Sequence, residues 1–245
     1  MHSTSELMKS IDYPPILKVD IQDIAKQVLR KKLAKQRHLV VKEAINPLYL
    51  DYIMPSLLAH FRPQSVTYNG GIAKIKKWKI SCYLEVMDGG IPTAEPNLML
   101  RQLFHPLLNT CNTLFNEWYR QQHSMRQPVV SNRIMTFITR YTPAPGEQAL
   151  LKHVDGAGKV DGSIVVALPM DKWSAPLSIN AFEGGGLTFW DGRDSLGNIQ
   201  KTHYDTRSGD VGFIDRAVWH AADPISKGTR WALVIFYKVD KLRDF

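Results

Sequence analysis

The sequence predicts an α+β fold in which helices support a β-sandwich or jelly roll, and three observations predict it. Through the first half of the chain, apolar residues recur mainly at helical spacing. From Asn132 onward the period becomes two, over a series of short strands. At 245 residues the chain is long enough for one large domain that includes both parts. Helices followed by a run of strands mark a mixed fold with a β-layered core rather than an alternating α/β one.

Residues 1–19 are polar and proline-containing and read as an extended lead-in. Asp20 is placed to cap a helix running through Arg37, with Ile21, Ile24, Ala25, Val28, Leu29 and Leu33 at helical spacing. Its end carries Lys31, Lys32, Lys35 and Arg37, which suits the negative end of a helix dipole. Asn46-Pro47 starts a second helix, which Pro55 is expected to kink or restart. Trp78, Ile80, Cys82, Leu84 and Val86 alternate as a half-buried strand that Asp88-Gly89-Gly90 ends.

Residues 97–122 carry the widest apolar stripe, from Leu100 to Tyr119, expected to pack on a sheet as a buttress bent at Pro106. Strands follow at Met135–Tyr141, at Gly162–Met170, at Leu187–Trp190 before a turn at Asp191-Gly192, and at Asp210–Ile214. The last strand alternates Trp231, Leu233, Ile235 and Tyr237 with Arg230, Ala232, Val234 and Phe236. The division expected is an N-terminal extension over 1–38, bearing the basic amphipathic helix, and a single domain over 39–245. Its helical support covers about 39–125 and its β core about 126–240.

A formal net charge of +8 permits acidic or nucleic-acid partners without requiring them. The two cysteines, Cys82 and Cys111, fall on apolar faces and cannot make a framework of several disulfides. No signal-peptide pattern, no apolar run of membrane-spanning length and no N-x-S/T acceptor is visible. These features lead to an expectation of a reducing compartment, cytosol or nucleus, and no membrane partner.

The chemistry sits in two stretches. Arg140-Tyr141 leads through Gly146 to His153-Val154-Asp155; far downstream come Trp219-His220 and, ten residues beyond His220, Arg230-Trp231. On an extended strand His153 and Asp155 point to one face. Two imidazoles and one carboxylate make a facial set of ligands for a non-haem Fe(II) and leave positions open. Zn²⁺ takes the same residue types, though a zinc hydrolase would also need a general base nearby. His2, His38, His60, His105, His123 and His203 have no ligand-like spacing and read as surface or packing residues.

The ordered set Arg140-Tyr141, Gly146, His153-x-Asp155, Gly184-Gly185-Gly186 and His220 to Arg230 resembles the Fe(II)- and 2-oxoglutarate-dependent dioxygenases, in their prolyl 4-hydroxylase-like branch. It spans roughly the last 115 residues. The resemblance implies a double-stranded β-helix (jelly roll) with supporting N-terminal helices. It implies His153, Asp155 and His220 as the Fe(II) ligands on which turnover depends, with Arg230 and Tyr141 binding the distal carboxylate of 2-oxoglutarate. O₂ is the other cosubstrate and ascorbate an auxiliary reductant. The implied reaction hydroxylates a substrate C–H bond, foremost on a prolyl or other side chain of a peptide or protein, and releases succinate and CO₂.

Arginine at position 230 departs from the lysine of collagen-type relatives. The nucleic-acid repair branch carries a second arginine six residues after the cosubstrate arginine, where this chain has Phe236. Nucleic-acid oxidation, small-molecule hydroxylation and an inactive binding module stay open as alternatives. Trp173, Trp190 and the stretch from Asp171 to Ala181 are expected to border the entrance, and Trp219 and Trp231 to serve packing.

Overall fold

A computed structural model of the chain describes residues 14–63, 67–68, 71–72, 80–85, 96–169 and 182–240. The helices are α1 (Ile21–Leu33), α2 (Pro47–His60) and α3 (Leu98–Gln122). The Asp20 side chain accepts from the Gln22 N–H at 2.9 Å and caps α1. The helix ends at Leu33, short of the expected Arg37. Lys35 takes a left-handed conformation (φ 55°), and the chain turns into β1 (His38–Val41). Asn46 caps α2, which runs unbroken through Pro55 where a kink or restart was expected. The missing N–H at Pro55 is outweighed by the burial of Tyr49, Leu50, Ile53, Met54 and Leu57 on that helix. α3 starts at the Asn97 cap and likewise passes through Pro106.

The remaining strands are β2 (Thr67–Tyr68), β3 (Gly71–Ile72), β4 (Ile80–Glu85), β5 (Ser131–Tyr141), β6 (Leu150–His153), β7 (Gly162–Ala167) and β8 (Phe182–Gly184). They continue with β9 (Leu187–Arg193), β10 (Ile199–Tyr204), β11 (Val211–Asp215), β12 (Trp219–Ala222), β13 (Ile225–Gly228) and β14 (Arg230–Val239). A six-stranded sheet has the order β1-β11-β7-β14-β5-β4, and a four-stranded sheet the order β10-β9-β12-β6. All their pairings are antiparallel. From β5 onward the chain passes back and forth between these two sheets. That is a jelly roll, with β1 and β4 extending its larger sheet at either edge.

Two sequence expectations change in detail. β9 continues through Asp191-Gly192, and the reversal falls at Asp194–Asn198, where Asp194 accepts from the Leu196 and Asn198 N–H groups. β4 is buried at Ser81 and Tyr83 as well as at Cys82 and Leu84, because β4 is covered on both faces instead of one. Trp78, Val86, Asp88-Gly89-Gly90 and Met170 lie outside the described residues.

The larger sheet has two apolar faces with different partners. Ile138, Ile164, Phe213, Leu233, Ile235 and Tyr237 face outward and meet Ile24 and Val28 of α1 and the stripe of α3. Phe115 of α3 stacks on Tyr237 at 4.0 Å, and Trp118 stacks on Phe213 at 5.6 Å. The expected buttress is thus α3, with α1 and α2 packed against it. The opposite face of the sheet looks into the roll, where Tyr141, Val165, Phe189, Ile214 and Ala232 form a second cluster. The alternation along β14 places Arg230, Ala232, Val234 and Phe236 inside, and Trp231, Leu233, Ile235 and Tyr237 against the helices.

Candidate metal centre

β6 and β12 are neighbours, and their register sets His220 opposite His153. The two imidazole rings lie 4.3 Å apart, tilted by 53°. Each Nδ1 is turned to a backbone carbonyl two residues earlier: His153 to Leu151 O at 2.8 Å and His220 to Val218 O at 3.0 Å. Those carbonyls fix Nδ1 as the protonated nitrogen and make Nε2 the ring nitrogen that would face a metal.

Asp155 is not on the strand with His153. β6 ends at His153, Val154 is extended (φ −119°, ψ 138°), and Asp155 opens a short 3₁₀ turn. The extended Val154 still sends both side chains to one side. Gly156, next in the turn, has φ +55°, and a Cβ there would run into the Val160 side chain. Asp155 Oδ1 lies 3.4 Å from His153 Nε2, and Oδ2 lies 3.6 Å from His220 Nε2. Ligand atoms of the three residues all fall within 4.8 Å of one another, so His153, Asp155 and His220 can hold one metal ion.

The electrostatics suit that role. Burial pushes the Asp155 carboxyl up, but His220, His153 and the Ser163 hydroxyl together outweigh it and bring the group down to about 2. Burial lowers the His220 pKa, against the pull of Asp155, and so favours the neutral imidazole. A carboxylate and neutral imidazoles are the forms a metal takes.

Arg230 begins β14 opposite Tyr141 at the end of β5, and both are buried. The guanidinium carbon sits 5.4 Å from the Tyr141 ring centroid. Arg230 Nη2 donates to Thr206 Oγ1 at 3.4 Å, while Nε and Nη1 have no hydrogen-bond partner among the described residues. Burial lowers the Arg230 pKa, and burial raises that of Tyr141. Two buried guanidinium nitrogens without a partner among the described residues are the donor set a carboxylate would satisfy.

Not every sequence expectation falls inside the roll. Trp231 packs edge-on against Phe61 at 4.8 Å, as expected of a packing residue. Trp219 is 49% exposed on the outer face of the smaller sheet, where it pairs with Trp190. Lys152 Nζ lies over both rings, at 5.5 Å and 4.6 Å. Trp190, expected to border the entrance, thus lies beside Trp219 and Lys152 on that outer face; Asp171–Ala181, Trp173 included, lies outside the described residues. His38 is wholly buried in a polar network: Nδ1 meets Asp191 Oδ2 at 3.1 Å, Nε2 meets Tyr204 Oη at 3.1 Å, and the ring stacks on Phe189 at 4.2 Å. Sequence reasoning passed over Thr206 and Ser163, lone hydroxyls with no motif around them.

No protein-family model and no curated protein matches the chain. Solved structures do. A 2OG-Fe(II) oxygenase family oxidoreductase from Burkholderia pseudomallei is 16% identical, with a TM-score of 0.56 over 92% of this chain and 94% of its own. A prolyl-4-hydroxylase from Pseudomonas putida is 12% identical, with a TM-score of 0.54 over 88% of this chain and 98% of its own. The non-haem α-ketoglutarate-dependent epimerase SnoN of nogalamycin biosynthesis is 13% identical, with a TM-score of 0.56 over 89% of this chain and 83% of its own. The chain shares the jelly-roll fold of the 2OG-Fe(II) oxygenases.

Proposed function

We propose that this chain is an Fe(II)- and 2-oxoglutarate-dependent dioxygenase that hydroxylates a C–H bond and releases succinate and CO₂. The observation that carries the reading is the convergence of His153, Asp155 and His220 in a roll that also buries Nε and Nη1 of Arg230, which have no partner among the described residues. His153, Asp155 and His220 would hold Fe(II), and Arg230 and Tyr141 would hold the distal carboxylate of 2-oxoglutarate. The iron supplies the activation of O₂ when it is bound. The chain's own residues orient the cosubstrate by a two-point guanidinium grip and keep water out of an apolar interior. A zinc hydrolase is less well supported. Among the described residues the metal-competent group contains no further acidic or imidazole side chain to act as its base.

For the substrate we favour a prolyl or other side chain of a peptide or protein, on the motif resemblance and the likeness to a prolyl-4-hydroxylase. A small-molecule hydroxylase is the second reading, favoured by the likeness to a nogalamycin-pathway enzyme. Nucleic acid is disfavoured by Phe236, whose ring meets Phe137 edge-on at 5.6 Å where the repair branch has an arginine. No described helix is long and apolar enough to cross a membrane. The free, buried thiols Cys82 and Cys111 support a reducing compartment, cytosol or nucleus.

The test is Fe(II)-dependent succinate release with a panel of proline-containing peptides, free amino acids, other small molecules and nucleic acids. The expected result is succinate formation stimulated by one class, and its loss in His153→Ala. Robust turnover in His153→Ala, or no iron-dependent succinate from the wild type with any class, would contradict the reading. The second outcome is also the one an inactive binding module would give.

A further inference from the structure

β7 is buried along its whole length, and its inward residues after Ser163 are the apolar Val165 and Ala167. A hydroxyl at the first inward position is out of keeping with that run. Ser163 is fully buried, its register neighbours are Ile214 on β11 and Phe236 on β14, and a hydroxyl in such surroundings is costly unless it is hydrogen-bonded. It donates to one atom, Asp155 Oδ2, at 2.5 Å.

The bond makes the two oxygens of Asp155 inequivalent. Oδ2 is engaged by Ser163 and lies 3.6 Å from His220 Nε2, whereas Oδ1 is turned toward His153 Nε2 at 3.4 Å. Asp155 lies in a short 3₁₀ turn, so no strand ladder fixes its side chain; the hydroxyl from the neighbouring sheet does so instead.

We infer that Ser163 is a positioning residue of the proposed metal centre, holding Oδ2 so that Asp155 presents Oδ1 to the ion. The inference rests on the iron reading above. A carboxylate held by one oxygen keeps free the coordination position that a two-oxygen grip would fill, and partners of this kind typically govern metal affinity by about ten- to a hundredfold.

The experiment is calorimetric titration of the metal-free full chain with Mn(II), for the wild type, Ser163→Ala and Ser163→Thr, alongside metal-free thermal melts. The expected result is Mn(II) binding weakened about tenfold or more in Ser163→Ala, and near-wild-type binding in Ser163→Thr, which keeps the hydroxyl. Should the alanine variant not fold, Ser163→Cys, close in size with a much weaker donor, carries the same expectation of weakened binding. A folded alanine or cysteine variant that binds Mn(II) as tightly as the wild type overturns the proposal, whatever its melting temperature, and leaves the iron reading in place. A wild-type chain that binds no Mn(II) overturns both.

Discussion

Arg230 concentrates the argument at the scale of single residues. A guanidinium keeps its charge, so burying it with two nitrogens unmet opposes folding by about 1–3 kcal/mol for each. Among the described residues only Nη2 is partnered, by Thr206. Arg230→Met keeps much of the length and removes the unpaired donors. The metal-free melting temperature of that variant should therefore rise by about 2–4 °C per kcal/mol regained. 2-Oxoglutarate, which should stabilise the wild type, should leave the variant unshifted; thermal melts with and without the ligand check both. A variant that melts lower, yet is still stabilised by 2-oxoglutarate, would remove Arg230 from the pocket. At this scale the sequence is readable where chemistry dictates spacing: His153, Asp155 and His220 bring ligand atoms within 4.8 Å of one another, and Arg230 sits opposite Tyr141 in register. It is silent on Ser163 and Thr206, because a single hydroxyl beside a loop has no period and no fixed partner distance along the chain. His38 misleads in the same way, since the sequence offers no sign that Asp191 and Tyr204, over 150 residues away, will enclose it.

Elements show a sharper division. α3 is the most readable, because its stripe repeats over 25 residues and every turn of it meets the larger sheet or another helix. Trp118→Ala should cost about 3–5 kcal/mol, read as a lower denaturation midpoint at unchanged slope. A change below about 1 kcal/mol would argue that α3 is not the buttress. β1 is the opposite case, four residues with no alternation in their burial, since all four are covered. Its His38 links α1, through Lys31 and Tyr204, to the smaller sheet. Burial lowers the His38 pKa below its unfolded value of about 6.5, Asp191 opposing. The folded state thus takes up its proton less readily than the unfolded chain does. This contribution to stability is complete above about pH 6.5 and is lost as pH falls through the lowered folded value. His123 and His220 are lowered by burial and act in the same direction. Denaturation midpoints measured between pH 8 and 5 should fall with pH, and less steeply in His38→Gln. Identical profiles would separate His38 from the effect.

For the whole molecule, period and order went far: helices first, then a roll whose last strand carries alternate residues to the helices and to the interior. Among what they did not yield are β10, β13 and the separation of β6 from the Asp155 turn. Those segments are short, polar or bent, and their pairing is decided by neighbours distant in sequence. The central claim is that one cavity holds both an ion and a carboxylate cosubstrate. Its most direct test is calorimetric titration of 2-oxoglutarate into the metal-free chain and into the chain loaded with Mn(II). The account predicts one Mn(II) per chain, 2-oxoglutarate binding at least tenfold tighter (about 1.4 kcal/mol) when Mn(II) is present, and loss of that enhancement in His220→Ala. Equal 2-oxoglutarate affinity with and without the metal, or an enhancement that survives in His220→Ala, would contradict it.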